Sequence, residues 1–236
     1  MLAKNSISNL IDFSAGEVIL IDKQQGISSF TIIRMLKRIV RIKKIGHAGT
    51  LDPMATGLVI LCTGKMTKQI EQYQGQEKTY EGVITLGGIT PSYDAETEVS
   101  ESFDYSKITI EEIETARQSF IGEIEQIPPI YSALKVGGER LYKKARKGEK
   151  VEIKSRKVEI STFDILDVSL PEVKFRVKCS KGTYIRSLAY DFGRALQNGA
   201  YLTELRRTFI GDYAVSDALS IQEFEVKIAA AQEVIL

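Results

Sequence analysis

The sequence predicts an α+β protein. Three observations carry that reading: short β-branched apolar runs bounded by glycine and polar residues, separate stretches with helical apolar spacing, and no internal repeat, low-complexity segment or linker. Mixed strands and helices of this kind fit one catalytic domain over residues 1–236, and they leave the sheet topology open.

Taken in order, Glu17 to Asp22 (EVILID) is short, β-branched and apolar, so it reads as a buried strand. Ser28 or Ser29 then caps a helix over Phe30 to Lys43, with Ile32, Ile33, Met35, Leu36, Ile39 and Val40 at helical spacing and Arg34, Lys37, Arg38 and Arg41 on the opposite face. Leu58 to Thr63 (LVILCT) is a continuous apolar run expected of a central strand, followed by a short helix from Lys65. Thr79 to Gly87 is a second strong strand, and PSYDAETEVSE after it reads as a polar, acidic loop. Ile110 to Phe120 suits an amphipathic surface helix. The segment IPPIYSALKVGGERLYKKARKGEK combines a proline entry, a Gly137-Gly138 turn and a short helix carrying Lys143, Lys144, Arg146 and Lys147. Between Val173 and Cys179, apolar residues alternate with Lys174, Arg176 and Lys178, the period of a half-buried strand with a cationic outer face. Tyr184 to Gln197 reads as a helix, Tyr201 onward as a strand, and the tail from Ser220 as an acidic helix.

Composition removes several classes of chemistry. With 43% hydrophobic and 27% charged residues the chain is an ordinary globular protein, and at 236 residues it needs no disulfides to hold a core. A formal net charge of +1 gives no bulk positive field, so any nucleic-acid site must be local. Cys62 and Cys179 lie far apart without CxxC spacing and read as core thiols in a reducing compartment. The N-terminus lacks the unbroken apolar stretch of a signal peptide and nothing reaches membrane-spanning length, so a cytoplasmic location is expected. The single histidine, His47, excludes a multi-imidazole zinc site. Catalysis would rest on carboxylates, tyrosines, lysines or arginines.

The segment GHAGTLDPMATG concentrates such groups. An isolated Asp52-Pro53 is most simply a helix N-cap with proline in the first turn. Here, however, His47, Thr50, Asp52 and Thr56 sit between glycines on a turn that leads into a buried strand, and polar side chains on such turns often form sites. Asp22 and Asp94 are the other carboxylates to weigh.

GHAGTLDPMATGLVILCTGKMTK resembles the signature segment of the tRNA pseudouridine-55 synthases, the TruB family. DKQQGISS, KTYEGVITLG, IPPIYSALKVGGERLY, CSKGTYIRSLAYDFG and YLTELRR resemble further blocks of that family in the expected order, from about Asp22 to about Arg207. The resemblance implies a mixed, largely antiparallel central sheet flanked by helices. It also implies an isomerase that breaks the N1 glycosidic bond of uridine at position 55 in the tRNA T loop, turns the uracil, and joins C5 to the ribose. That reaction gains and loses no atoms and calls for no cofactor and no metal, in keeping with the lack of GxGxxG, P-loop or multi-histidine signatures.

Residue by residue, the resemblance makes Asp52 the catalytic carboxylate, Arg186 its guanidinium partner, and Tyr80 the ring that stacks on the target base and handles the C5 proton. Tyr184 and Leu205 would wall the pocket for an extruded base, and His47 would stack on RNA bases beside it. Lys23 and Asp94 would stand near the same pocket, although Gln24 replaces the usual proline after the lysine. Attack on the base, attack on the ribose, and a glycal-type proton abstraction all use the same aspartate.

Three basic elements could hold phosphates: Arg34 to Lys44, Lys143 to Lys157, and the Lys174, Arg176, Lys178 face. Taken singly, each is more simply explained as a solvated charged surface. The chain is expected to act as a monomer on the tRNA T stem-loop, without a membrane or an obligatory protein partner, and to stop before the C-terminal RNA-binding PUA domain that many relatives carry. The rival readings are a non-catalytic RNA-binding scaffold and a synthase working in a guide-RNA complex. Retention of Asp52, Tyr80 and Arg186 argues against the first; dependence of such complexes on that further domain and partner subunits argues against the second.

Overall fold

The computed structural model describes residues 1–4, 12–132, 134–149 and 151–233. In chain order the elements are β1 (Val18–Lys23), α1 (Ser29–Val40), β2 (Ile45–His47), β3 (Thr56–Thr63), α2 (Ile70–Gly75), β4 (Lys78–Leu86), β5 (Gly88–Ile89), β6 (Glu101–Ser102), α3 (Ile110–Gln118), β7 (Gly122–Gln126), β8 (Lys135–Val136), β9 (Glu139–Arg140), α4 (Leu141–Arg146), β10 (Arg156–Ser169), β11 (Glu172–Cys179), α5 (Ile185–Ala195), β12 (Ala200–Ile210), β13 (Tyr213–Ala214) and α6 (Ile221–Glu233). They form two compact units, residues 1–80 with 205–236 and residues 81–204, and both β4 and β12 contribute residues to each. The class is α+β with mainly antiparallel pairing, as expected from the sequence.

In the first unit β3 lies between neighbours. It pairs antiparallel with β1, Val18 opposite Cys62 through Lys23 opposite Gly57, and antiparallel with β2, His47 opposite Leu61. Its start pairs in parallel with the end of β12, Arg206 opposite Thr56 and Arg207 opposite Gly57. Covered in this way, β3 is buried from Gly57 to Thr63, which is why LVILCT reads as a continuous apolar run. α1 starts at the Ser28 cap, whose hydroxyl accepts the Thr31 N–H at 3.1 Å, and buries Ile32, Ile33 and Leu36. It stops three residues short of the expected Lys43 because Arg41 turns left-handed at φ 52°.

In the second unit the strand order is β4-β11-β10-β7, with the first half of β12 beside β4. β11 alternates exposed and buried along its whole length, as its sequence predicts. The Gly137-Gly138 turn is also as expected: both glycines have positive φ, 63° and 84°, and close the β8–β9 hairpin. The 14-residue β10 has no strong signal of its own, since only Val158, Ile160 and Phe163 along it are buried. It is extended because β7 and β11 pair with it on its two sides.

The core of this unit is aromatic. Phe163 meets Phe175 edge-on at 5.9 Å and Phe192 at 5.7 Å, and all three are fully buried. Phe163→Ala opens a void that backbone on two flanking strands cannot collapse into, and it should lower the unfolding free energy by about 3–5 kcal/mol. Chemical denaturation of the variant checks this.

Candidate active site

The turn that carries Asp52 begins where β2 ends. Ala48 extends the ladder by donating its N–H to the Ile60 carbonyl at 2.8 Å, after which Gly49 takes φ 101° and the chain reverses. Asp52 and Pro53 start no helix. The Ala55 N–H donates to the Asp52 carbonyl at 3.1 Å and closes a turn that leads directly into β3, so the helix-cap reading is wrong. Gly57 at φ 105° follows, where any Cβ would collide with the Arg207 backbone.

Two buried cations hold this turn by its backbone. Arg207 is 1% exposed and donates from Nε to the Leu58 carbonyl at 2.7 Å, from Nη1 to Thr50 at 3.4 Å and from Nη2 to Gly49 at 3.2 Å. Lys23 is fully buried, and its Nζ donates to the carbonyls of Ile27 at 2.7 Å, Gln24 at 3.1 Å and Pro53 at 3.2 Å. Ser29 adds a two-way link to Leu51, accepting its N–H at 2.9 Å and donating to its carbonyl at 3.2 Å. Carbonyls on both sides of Asp52 are therefore tied to the interior, and its half-buried side chain stands on a fixed crest.

Of the other residues singled out from the sequence, His47, Tyr80 and Leu205 also belong to the first unit. Tyr80 and Leu205 are each 8% exposed. His47 is held below the ordinary imidazole value, first by burial and then by the Arg207 guanidinium, with a Gly49 backbone group opposing. It is thus neutral at pH 7. Asp22 is a bidentate partner of Arg206, Oδ1 to Nη1 at 3.1 Å and Oδ2 to Nη2 at 2.7 Å, while Arg206 also reaches Thr56 Oγ1 at 3.3 Å. That leaves Asp22 as an ion-pair residue rather than a nucleophile.

Tyr184, Arg186 and Asp94 belong to the second unit. Tyr184 precedes α5, exchanges backbone hydrogen bonds with the Gln126 amide at 2.7 and 3.1 Å, and carries the Arg156 guanidinium over its ring at 5.0 Å. Arg186, 4% exposed, donates from Nη1 to the Ser92 carbonyl at 3.2 Å and from Nη2 to the Tyr131 carbonyl at 2.9 Å. Its Nη1 also lies 3.3 Å from Asp94 Oδ2. Asp94 is fully buried, and its Oδ1 accepts from Ser92 Oγ at 2.5 Å and the Glu96 N–H at 3.0 Å. The segment is an exposed loop for most of its length, as its polar, acidic sequence suggests, but Asp94 itself is not one of its solvated acids.

Arg207 was missed in the sequence, yet it left a signal. It falls on the inward register of β12 with Leu205, just as Lys23 falls on that of β1 with Ile19 and Ile21, so each is a cation where alternation calls for an apolar residue.

The three basic elements also separate. Lys147 pairs with Glu139 at 3.0 Å, Lys157 with Glu123 at 2.7 Å, Lys174 with Asp167 at 3.5 Å and Arg176 with Glu81 at 2.8 Å, so the second and third are partly neutralised. Lys150 and the Arg146 side chain lie outside the described residues. Arg34, Lys37 and Arg38 on α1, with Arg41, Lys43 and Lys44 after it, are exposed and carry no ion pair among the described residues.

The description "TruB family pseudouridylate synthase (N terminal domain)" belongs to a family model that matches residues 37–185, from within α1 through the Asp52 turn and the Asp94 loop to the first residue of α5. The chain belongs to the TruB family. A protein of Flavobacterium johnsoniae named tRNA pseudouridine synthase B is 52% identical over 221 residues, covering 91% of this chain and 96% of that one. The protein of the same name from Phocaeicola vulgatus is 49% identical, with 91% and 94% covered, and that of Clostridium tetani 48% identical, with 87% and 71% covered. Among solved structures, the chain resembles one in the crystal structure of a Cbf5-Nop10-Gar1 complex, with TM-score 0.73 and 26% identity over 95% of its length, and spans 57% of that chain. A chain in the structure of an H/ACA RNP bound to a substrate RNA containing 2'-deoxyuridine gives TM-score 0.70 and 25% identity, with 95% and 56% covered. This TruB-family chain is accordingly an RNA pseudouridine synthase, an isomerase.

A sole histidine makes the Arg207 frame measurable. By NMR titration His47 should titrate below the ordinary 6.5, and Arg207→Met should move it upward while Arg207→Lys, which keeps the charge, moves it less. Since the folded-state value is depressed, this imidazole's contribution to stability is present above 6.5 and is lost as pH falls through the folded-state value.

Proposed function

We propose that the enzyme converts uridine to pseudouridine at position 55 in the T loop of tRNA, with Asp52 as the carboxylate that does the chemistry. The observation that carries this reading is the turn itself: a half-buried aspartate whose flanking carbonyls are bound by buried Arg207, Lys23 and Ser29, inside the segment matched by the family model. Such investment in backbone position is what a group attacking or deprotonating one atom of a substrate requires. The names of the relatives at about half identity support tRNA as the substrate. Work within an assembly such as the Cbf5-Nop10-Gar1 complex or the H/ACA RNP is disfavoured because the chains of those structures are only 25–26% identical.

Within this reading the target uridine is turned out of the T-loop stack, at a cost of about a few kcal/mol that contacts to the pocket and phosphates must offset. Asp52, ionised, acts on the freed nucleotide, while Tyr80 stacks on its base and manages the C5 proton. Arg186, with Asp94 and the Ser92 carbonyl setting its angle, supplies the positive charge of the site. Tyr184 and Leu205 wall the pocket and neutral His47 stacks on neighbouring bases. Lys23 acts from beneath, through the backbone of the turn, and does not itself touch RNA. No step calls for a cofactor or metal, and the enzyme works as a cytoplasmic monomer.

Tritium release from tRNA carrying 5-tritiated uridine tests the chemistry. Asp52→Asn should abolish release while RNA affinity stays within about threefold of wild type, and Arg186→Lys should slow release by about 100-fold or more. An Asp52→Asn enzyme that loses affinity as steeply as turnover would sink this division of labour.

Phosphate contact should reside on the unpaired α1 ridge. A Lys37→Glu/Arg38→Glu double variant is expected to weaken tRNA binding and to reduce the slope of log affinity against log salt by about 1–2, whereas Lys174→Glu, at a cation already paired, leaves the slope unchanged. Filter binding across a salt series decides between the patches.

A further inference from the structure

Tyr93 stands one residue before Asp94 and takes φ 62°, a left-handed conformation that large side chains adopt only when their surroundings impose it. Its ring lies flat on Tyr190, with centroids 4.1 Å apart and planes 18° from parallel. Tyr190 follows Arg186 by one turn of α5, so loop and helix are joined twice at neighbouring positions, by the Tyr93–Tyr190 stack and by the Asp94–Arg186 ion pair.

The left-handed residue has a geometric consequence for Arg186. Because the chain reverses at Tyr93, the residues on either side of it face the same guanidinium nitrogen: the Ser92 carbonyl accepts from Nη1 at 3.2 Å and Asp94 Oδ2 lies 3.3 Å from it. In an extended chain the carbonyl of residue 92 would lie in the hydrogen-bonding plane of the backbone and the side chain of residue 94 would stand out of it, so the two groups would not converge on one nitrogen. The backbone of Tyr93 is also held, donating to the Thr90 carbonyl at 3.1 Å and accepting the Leu202 N–H at 3.0 Å. Its phenol is pushed above the ordinary tyrosine value by burial, with Tyr190 and Asp191 adding to it, so the Tyr93 ring stays neutral at working pH.

We propose that Tyr93 and Tyr190 are positioning residues for pseudouridine formation: their stack keeps residue 93 left-handed and thereby keeps the Ser92 carbonyl and the Asp94 carboxylate on one nitrogen of Arg186, fixing the angle of the guanidinium. This rests on the proposed role of Arg186. The stack touches no substrate atom, and its effect belongs to the chemical step rather than to RNA binding.

Single-turnover tritium release at saturating tRNA, with filter binding and thermal melting of the same preparations, tests it. Tyr93→Phe keeps the ring and should react within about twofold of wild type. Tyr93→Ala and Tyr190→Ala should each slow the step by roughly tenfold with the tRNA Kd unchanged, and the double variant should be no slower than either single one, because the two rings act as a unit. Tyr93→Gly removes the ring while accepting φ 62° without strain, so it should fold as wild type and still show the slow step. A wild-type rate in Tyr93→Gly, an increase in Kd matching the loss of rate, or additive losses in the double variant would overturn the proposal. Undiminished turnover in Arg186→Lys would bring down the reading of Arg186 and this inference with it; loss in Arg186→Lys beside a wild-type rate in Tyr93→Gly refutes the stack alone.

Discussion

The Asp52 turn depends on a charge placed where charge is normally excluded. Arg207 is all but fully buried and has no carboxylate partner among the described residues; backbone carbonyl dipoles of Gly49, Thr50 and Leu58 solvate it instead. Each charge-assisted hydrogen bond is worth about 1.5–3 kcal/mol, and a buried cation deprived of them is several kcal/mol out of balance. Folding around Arg207 therefore demands that these three carbonyls point inward, and that demand shapes the turn. Lys23 makes the same demand from the other side through Pro53. Between the two, Asp52 has very little backbone freedom left.

A second frame in residues 81–204 follows the same logic with different parts. Here the buried cation, Arg186, does have a buried carboxylate, and Asp94 is in turn held by Ser92 Oγ and the Glu96 N–H. Asp94 Oδ1 is thus committed to its own loop, and only Oδ2 faces the guanidinium. Each unit uses main-chain carbonyls to orient a cation that would otherwise be too costly to bury, and in each case some of those carbonyls come from a segment bent by a residue of positive φ: Gly49 and Thr50 at Gly49 in one, Ser92 at Tyr93 in the other. Glycine is the expected choice there. A tyrosine is not, and its stacking partner is the compensation.

Much of the fold was legible because local pattern and tertiary environment agreed. β3 reads as central and is covered on both sides; β11 reads as half-buried and alternates without exception; the paired glycines at 137 and 138 close the hairpin they announce. The sequence was silent where structure comes from partners. β10 is extended because β7 and β11 pair with it, although its own residues give little sign of a strand. The end of α1 was misjudged because apolar spacing runs on past Arg41, while the left-handed turn there is set by how the chain must enter β2. Three basic stretches looked alike in sequence, and the cations of α1 carry no ion pair among the described residues, whereas several of the others are paired with acids from neighbouring strands, a hairpin and a loop.

The sequence by itself determined the family and the mixed α+β class, and it singled out Asp52 as the candidate carboxylate, because ordered blocks of residues are a one-dimensional property that survives without coordinates. It also held a trace of the frame, since Lys23 and Arg207 sit on inward registers where periodicity calls for apolar side chains. What it could not give was the reason those cations are there. Whether an inward lysine or arginine is an error, a metal-free charge pair or a backbone anchor depends on which carbonyls reach it, and Gly49, Thr50, Leu58 and Pro53 are brought to Lys23 and Arg207 only by the pairing of β3 with β1 and β12. Hydrogen bonds between residues some 150 positions apart are decided by tertiary structure alone, because no local preference of either partner encodes the other.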